Sequence, residues 1–123
     1  LSIADFILNH DNLPNDMVPY WDFNAPKIPD AKRDASSAAI MASALIELSQ
    51  FVEGSKSKRY FEATEKILAS LSSPDYLAEI GENGDFLIKH NVGSIPHNSE
   101  IDVPLTYADY YYIEALYRYY HQK

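Results

Sequence analysis

Cysteine is absent from the 123 residues, which excludes a disulfide framework and any thiolate metal site. The absence leaves the compartment open, because many exported proteins also lack cysteine. Basic residues are few: 10 Lys and Arg stand against 18 Asp and Glu, a formal net charge of -8. An acidic surface repels phosphate backbones, so nucleic acid is not an expected partner. The acidic residues are spread rather than blocked, as on a solvated surface. There are only four glycines, and neither a glycine-rich phosphate loop nor a G-x-S-x-G elbow occurs. His10, His90, His97 and His121 lack the spacing of a paired-histidine metal motif. No metal and no cofactor are therefore expected. No apolar run approaches the roughly 20 residues of a membrane helix, and membrane association is not expected. The first residues do not read as a signal peptide.

What is present is ordinary for a globular chain: 46% hydrophobic and 23% charged residues, enough to bury a core. The sequence starts without Met, and Leu1, Ile3, Phe6 and Ile7 already follow a helical pattern with no cap before them. Both features lead to the expectation that further chain precedes Leu1. Residues 2–10 read as the last turns of a helix. Residues 11–33 hold Pro14, Pro19, Pro26 and Pro29, too many for regular helix. Yet this loop carries Met17, Val18, Tyr20, Trp21 and Phe23, and long loops with such groups are packed and often functional.

Asp34 is an N-cap for a helix from Ala35 to about Glu53, with Gly54 as its stop. That helix is apolar nearly all round and is expected to be an inner helix of a larger assembly. A second helix over about 56–72 carries Tyr60, Ala63, Thr64, Ile67, Leu68 and Leu71 on one side and charges on the other. A short helical turn is expected over 76–80 and a turn at Asn83-Gly84. A short strand at 86–90 is expected to pair with Glu100-Ile101-Asp102-Val103. Thr106 and Asp109 form a T-x-x-D capping box for a last helix over about 107–120. Its tyrosines 107, 110, 111, 112, 117, 119 and 120 are expected to be mostly core, their buried hydroxyls partnered.

Four segments carry a family resemblance: Val18-Pro19-Tyr20-Trp21-Asp22-Phe23, Arg33-Asp34-Ala35-Ser36-Ser37-Ala38-Ala39, His90-Asn91-Val92-Gly93-Ser94, and Tyr107 through Leu116 with its Glu114-Ala115-Leu116. In this order and spacing they resemble the C-terminal third of the unsaturated glucuronyl hydrolases, glycosyl hydrolase family 88. The resemblance implies an all-α fold, part of a six-fold (α/α) barrel with alternating inner and outer helices and a short hairpin-like insertion before the last helix. Residues 1–123 would then be the C-terminal part of one incomplete barrel domain. The implied activity of the parent enzyme is release of an unsaturated 4,5-uronic acid from lyase-generated oligosaccharides, by hydration of the vinyl-ether double bond. One Asp protonates C4 and activates water for C5, and a second Asp assists. This route differs from two-carboxylate displacement at the anomeric carbon. Both aspartates lie in the family's N-terminal half, and no segment here matches their surroundings, so no residue of this chain is assigned a catalytic role. The implied partners are an unsaturated uronic-acid oligosaccharide and the N-terminal remainder of the enzyme.

The candidate substrate-binding residues are Ser94, His97, Asn98, Ser99 and Trp21. In some family members the loop after His90 carries a Ser-x-x-Ser-x-Lys pattern that holds a sulfate on the neighbouring sugar. Here Ser94 matches, while His97 and Ser99 replace the second Ser and the Lys, removing the main charge. Gly93 stands where some relatives place a Tyr. An ordinary polar loop is the alternative reading of these residues. Trp21 suits stacking on a sugar face, although a loop aromatic plugging the barrel wall is the simpler role. Asp22 and Asp109 read as structural, one holding the loop and the other capping the last helix. Two rival functions are a free-standing helical binding module without catalysis and an unsaturated rhamnogalacturonyl hydrolase.

Overall fold

The computed structural model describes residues 2–122. Its elements are α1 (Ser2–Asn9), α2 (Ala35–Leu48), α3 (Gly54–Leu71), β1 (Asn91–Ser94), β2 (Ser99–Val103) and α4 (Thr106–Gln122). A 3-10 turn covers Asn83–Asp85. Helix α2 is central, packing against α3 on one side and α4 on another. None of the described helices is long and apolar enough to cross a membrane.

Helix α2 starts as expected. The extended residue Asp34 caps it, the Ser36 N–H donating to Asp34 Oδ1 at 3.1 Å. The same oxygen accepts from the Val92 N–H at 3.1 Å, so one carboxylate ties the helix to β1. The far end differs from expectation, because α2 stops at Leu48 rather than near Glu53. The Ser49 hydroxyl donates to the Ile46 carbonyl at 2.7 Å, and the next N–H groups bond i to i−3, from Gln50 to Glu47 and Phe51 to Leu48. The helix tightens and ends there. Gly54, with φ of +63°, opens α3 instead of closing α2.

Helix α3 buries Tyr60, Ala63, Thr64, Ile67, Leu68 and Leu71, the face its spacing predicts. In α4, by contrast, Ala108, Tyr112 and Ala115 are buried, while Tyr107, Tyr110, Tyr117 and Tyr120 are exposed. The expectation of a mostly buried tyrosine stripe is corrected: the small residues let α4 approach α2 closely, and the opposite face is left largely exposed among the described residues. Polar bonds reinforce the α2–α4 contact. Ser43 donates to Glu114 Oε1 at 2.5 Å, and Arg118 donates to the Ser43 carbonyl at 2.8 Å.

The segment before α4 also departs from the sequence reading. No helix forms over 76–80; the turn falls earlier, where the Tyr76 and Leu77 N–H groups bond back to the Ser73 carbonyl. Residues 86–90 do not form the strand that pairs with 100–103. Ile88 makes an isolated bridge with Leu77, and β1 begins at Asn91, with Val92 opposite Ile101 and Ser94 opposite Ser99. Residues 86–90 have other partners: the Ala78 N–H donates to the Leu87 carbonyl and the Lys89 N–H to the Tyr76 carbonyl, both at 2.8 Å, and Asp109 adds to these. Its carboxylate accepts from the Leu87 and Ile88 N–H groups at 2.9 and 3.0 Å, taking the donors a ladder would need. Asp109 is thus a clamp on that backbone and not a capping-box carboxylate. His90 then adopts a positive φ of 65°, turning the chain into β1.

The long loop is ordered by its own charges. Arg33 donates to both Asp16 oxygens at 2.9 and 3.1 Å and to the Val18 carbonyl at 2.9 Å. Its guanidinium lies 4.8 Å from the centre of the Tyr20 ring. Ser70 of α3 donates to the Asp16 carbonyl at 2.6 Å, fastening the loop to the helices.

Candidate functional site

The β1–β2 hairpin brings Ser94, His97, Asn98 and Ser99 to one exposed tip. Ser94 and Ser99 are cross-strand partners, and the connecting residues turn on a bond from the Asn98 N–H to the Ile95 carbonyl at 2.9 Å. Asn98 takes the left-handed conformation, φ of 51°, which Asn tolerates well. Ser94 Oγ lies 2.8 Å from His97 Nδ1 and accepts from the His97 N–H at 3.4 Å. The tip offers an imidazole, an amide and hydroxyls, a set suited to the hydroxyls of a sugar.

Trp21 is not part of this tip. It lines a separate crevice with Ile7, Phe23, Ile40 and Met41. Its N–H donates to the Lys32 carbonyl at 3.0 Å, so the backbone is pinned while the ring stays partly exposed. Asp22 holds the loop, accepting from the Asn24 N–H at 2.7 Å.

At the hairpin base is a polar crevice that the sequence reading missed, lined by Asp16, Lys32, Arg33, Tyr76, His90 and Asp102 among others. Asp102 lies 2.6 Å from His90 Nδ1 and accepts from Lys32 Nζ at 3.1 Å. The hydrogen bond from His90, helped by Lys32, holds the Asp102 carboxyl below its usual range, against the effect of burial. Tyr76 donates to Asp16 at 3.2 Å. Burial, followed by the Asp16 charge, pushes the Tyr76 hydroxyl up to about 12. Lys32 and Arg33 are both spent on carboxylates. Among the described residues the crevice therefore offers no free Lys or Arg to an anionic ligand, and the Tyr76 hydroxyl is already bonded. It works as a clamp joining loop, hairpin and α3 flank. Its partners are up to 70 residues apart in sequence, so no local motif announces it. Among the described residues no group of three or more His, Asp or Glu could hold a metal ion.

No family model matches the chain. Individual relatives do. An unsaturated glucuronyl hydrolase of Formosa agariphila is 49% identical over 115 residues, which is 94% of this chain and 28% of that protein. A crystal structure of an unsaturated glucuronyl hydrolase specific for heparin superposes with a TM-score of 0.94 at 52% identity, covering 98% of this chain and 32% of that one. A D175N mutant from Streptococcus agalactiae, complexed with dGlcA-GalNAc6S, superposes at 0.78 with 28% identity, covering 93% and 30%. The chain thus spans under a third of the length of these relatives. Its helices follow the (α/α) barrel of those enzymes with a small antiparallel sheet inserted. Matched almost end to end in sequence and in backbone, the chain belongs to the unsaturated glucuronyl hydrolase family.

Proposed function

We propose that this chain forms the C-terminal part of an enzyme that removes an unsaturated 4,5-uronic acid from lyase-generated oligosaccharides. The observation that carries the reading is the 49% identity sustained over 94% of the chain. In this reading a proton goes to C4 and hydroxide to C5 of the vinyl ether, and the resulting hemiketal opens with loss of the sugar bond. The groups doing that chemistry belong to the remainder of the enzyme, and residues 1–123 supply wall and rim of a single barrel domain. The rim is the hairpin tip, with Ser94, His97, Asn98 and Ser99 bonding the leaving sugar. Trp21 offers a ring face to sugar from the loop.

The remainder of the enzyme is the natural cover for two apolar surfaces. One is the groove of about 350 Å³ between α1 and α2, lined by Ile3, Ile7, Ile40, Met41, Ala44 and Leu48. The other is the outer face of α4, with Tyr110, Ile113, Tyr117 and Tyr120 exposed. The test is co-expression with the part of the Formosa agariphila relative that this chain does not span. Each piece alone should leave the double-bond absorbance of an unsaturated disaccharide unchanged, and the co-purified pair should deplete it. Depletion by this chain alone, or a pair that co-purifies without activity, would overturn the reading.

A further inference from the structure

His90 and Asp102 join the two sides of the hairpin at its base, one just before β1 and the other near the end of β2. Both stand in the left-handed region, with φ of 65° and 55°. Neither is glycine, so each conformation is locally unfavourable and persists only where surrounding bonds hold it. Those bonds are present. His90 Nδ1 lies 2.6 Å from Asp102 Oδ1, and the Ala35 N–H at the start of α2 donates to the His90 carbonyl at 3.0 Å. Glu100 is left-handed as well, with φ of 53°. Opposite it the strands pass so closely that a Cβ on Gly93 would lie 2.7 Å from the Glu100 Cβ. The hairpin is thus a strained piece of backbone latched at its base.

Charged and titratable groups face the His90 imidazole from each element around the crevice. Asp102 comes from β2, Lys32, Arg33 and Asp16 from the long loop, and Asp75 and Tyr76 from the segment after α3. The Tyr76 ring meets the imidazole edge to face, with centroids 6.1 Å apart. Lys32 is engaged with Asp102 and Arg33 with Asp16. At the start of α2, Asp34 is engaged with Ser36, Ser37 and Val92, and the neighbouring Lys89 pairs with Glu82. An imidazole is the side chain whose ordinary form changes charge between about pH 5 and pH 8. An ionised carboxylate only accepts, so Nδ1 donates to Asp102 whether the ring is neutral or charged. The charged ring gives a bond about twice as strong. Asp102 sets the other limit. The bond from His90, helped by Lys32 against burial, holds its carboxyl below the usual range. Its contribution is therefore present above the ordinary carboxylate value and lost as pH falls through the depressed one.

We infer that His90 and Asp102 form a proton-operated latch, closed most tightly when the imidazole is charged, that governs how firmly the hairpin is held against the long loop and the start of α2. Loss of the proton leaves the weaker bond, and the left-handed residues then have less to hold them. What responds is the order of β1, β2 and the tip between them. Helices α2 and α3 pack on each other without the pair, so they do not respond and serve as the reference. In stronger acid the latch is lost a second time, as Asp102 takes up a proton. The device depends only on residues of this chain that touch one another, whatever the tip binds.

The experiment uses the full chain. Amide hydrogen exchange is followed over residues 99–103 at about pH 5.5 and about pH 8, expressed as protection so that the intrinsic pH dependence of exchange drops out. Protection should fall about fivefold as the pH rises, the difference between a charged and a neutral hydrogen bond. Added salt should shrink the step, because the imidazole is half exposed. His90→Asn keeps a neutral donor and tolerates the left-handed backbone. It should show no step and match the parent at the higher pH. Asp102→Asn tolerates the same backbone and should show less protection and no step. His97→Asn, at the tip, should keep the parent's step, which separates His90 from the other histidine of the hairpin. A parent step below about twofold overturns the inference, as does a step that survives in His90→Asn or disappears in His97→Asn. A variant that also loses protection in α2 and α3 has unfolded, and the parent's step, its salt dependence and the His97→Asn control then decide.

Discussion

The two flanks of α2 are made of similar residues and have different fates. Toward α3 and α4 the small and branched side chains Ala38, Ala39, Ala42, Leu45 and Ile46 are sealed. Toward α1 the chain leaves a groove, with Ile40 still 41% exposed and Ala44 at the surface. Helix α4 repeats the contrast, sealed at Ala108, Tyr112 and Ala115 and open at Tyr110, Ile113 and Tyr117. Apolar periodicity tells which residues want a neighbour. It does not tell whether the neighbour lies within the same stretch of chain. A helix apolar all round is therefore a statement about a complete assembly, and in this chain only part of that circumference is covered.

Substitutions can sharpen the contrast. Ile67, fully buried on α3, should lose about 2–5 kcal/mol of stability as Ile67→Ala, through lost transfer energy and the cavity left behind. The open-face change Ile113→Ser should alter stability by no more than about 0.5 kcal/mol. Urea unfolding of the two variants checks both. Equal losses would mean that the α4 face is covered in solution. Asp34→Ala should come next, at about 2–3 kcal/mol, because it removes the α2 cap and strands the buried Val92 N–H. The open flanks should also make the isolated chain self-associate. Sedimentation at rising concentration should show this for the parent, and Ile40→Lys with Tyr117→Lys should reduce it.

Much of the frame was legible because its signals are local. The Asp34 cap, the one-sided burial of α3 and the turn at Asn83-Gly84 each depend on residues within a few positions of one another. The errors fall where a distant partner wins. Asp109 reads as a capping residue from Thr106 three places before it, yet it spends its oxygens on Leu87 and Ile88. That choice occupies donors of 86–90, and the paired strand runs over 91–94 instead. The tip residues Ser94 through Ser99 are contiguous, so sequence could gather them. The close approach of Gly93 and Glu100 was not legible because it follows from the register, which alternation alone does not fix. The His90–Asp102–Lys32 clamp escaped for the same reason.

Titration offers a finer test of the closed regions. The raised Tyr76 hydroxyl favours the protonated form in the folded state. Its contribution is therefore fully present below the ordinary tyrosine value near 10 and is lost as pH rises through about 12. Tyr76→Phe should remove that alkaline drop in the urea midpoint.

The smallest effect belongs to α1, which borders the open groove and is fastened to α3 on its other side. Asp5 accepts from Lys56 at 2.9 Å and from the Tyr60 hydroxyl at 2.9 Å. These bonds, Lys56 first, hold the Asp5 carboxyl below its usual range. A depressed carboxylate stabilises the fold above its ordinary pKa and loses that contribution as pH falls through the depressed value. The pair is solvent-facing, so its strength should fall with added salt. Asp5→Asn should therefore lower the urea midpoint slightly at neutral pH and leave it unchanged at strongly acidic pH. The readout is the difference between parent and variant along a pH series at low and high salt. No difference at any pH would mean that α1 is held by its buried Ala4 and apolar face, and that the ion pair contributes nothing to closing that flank.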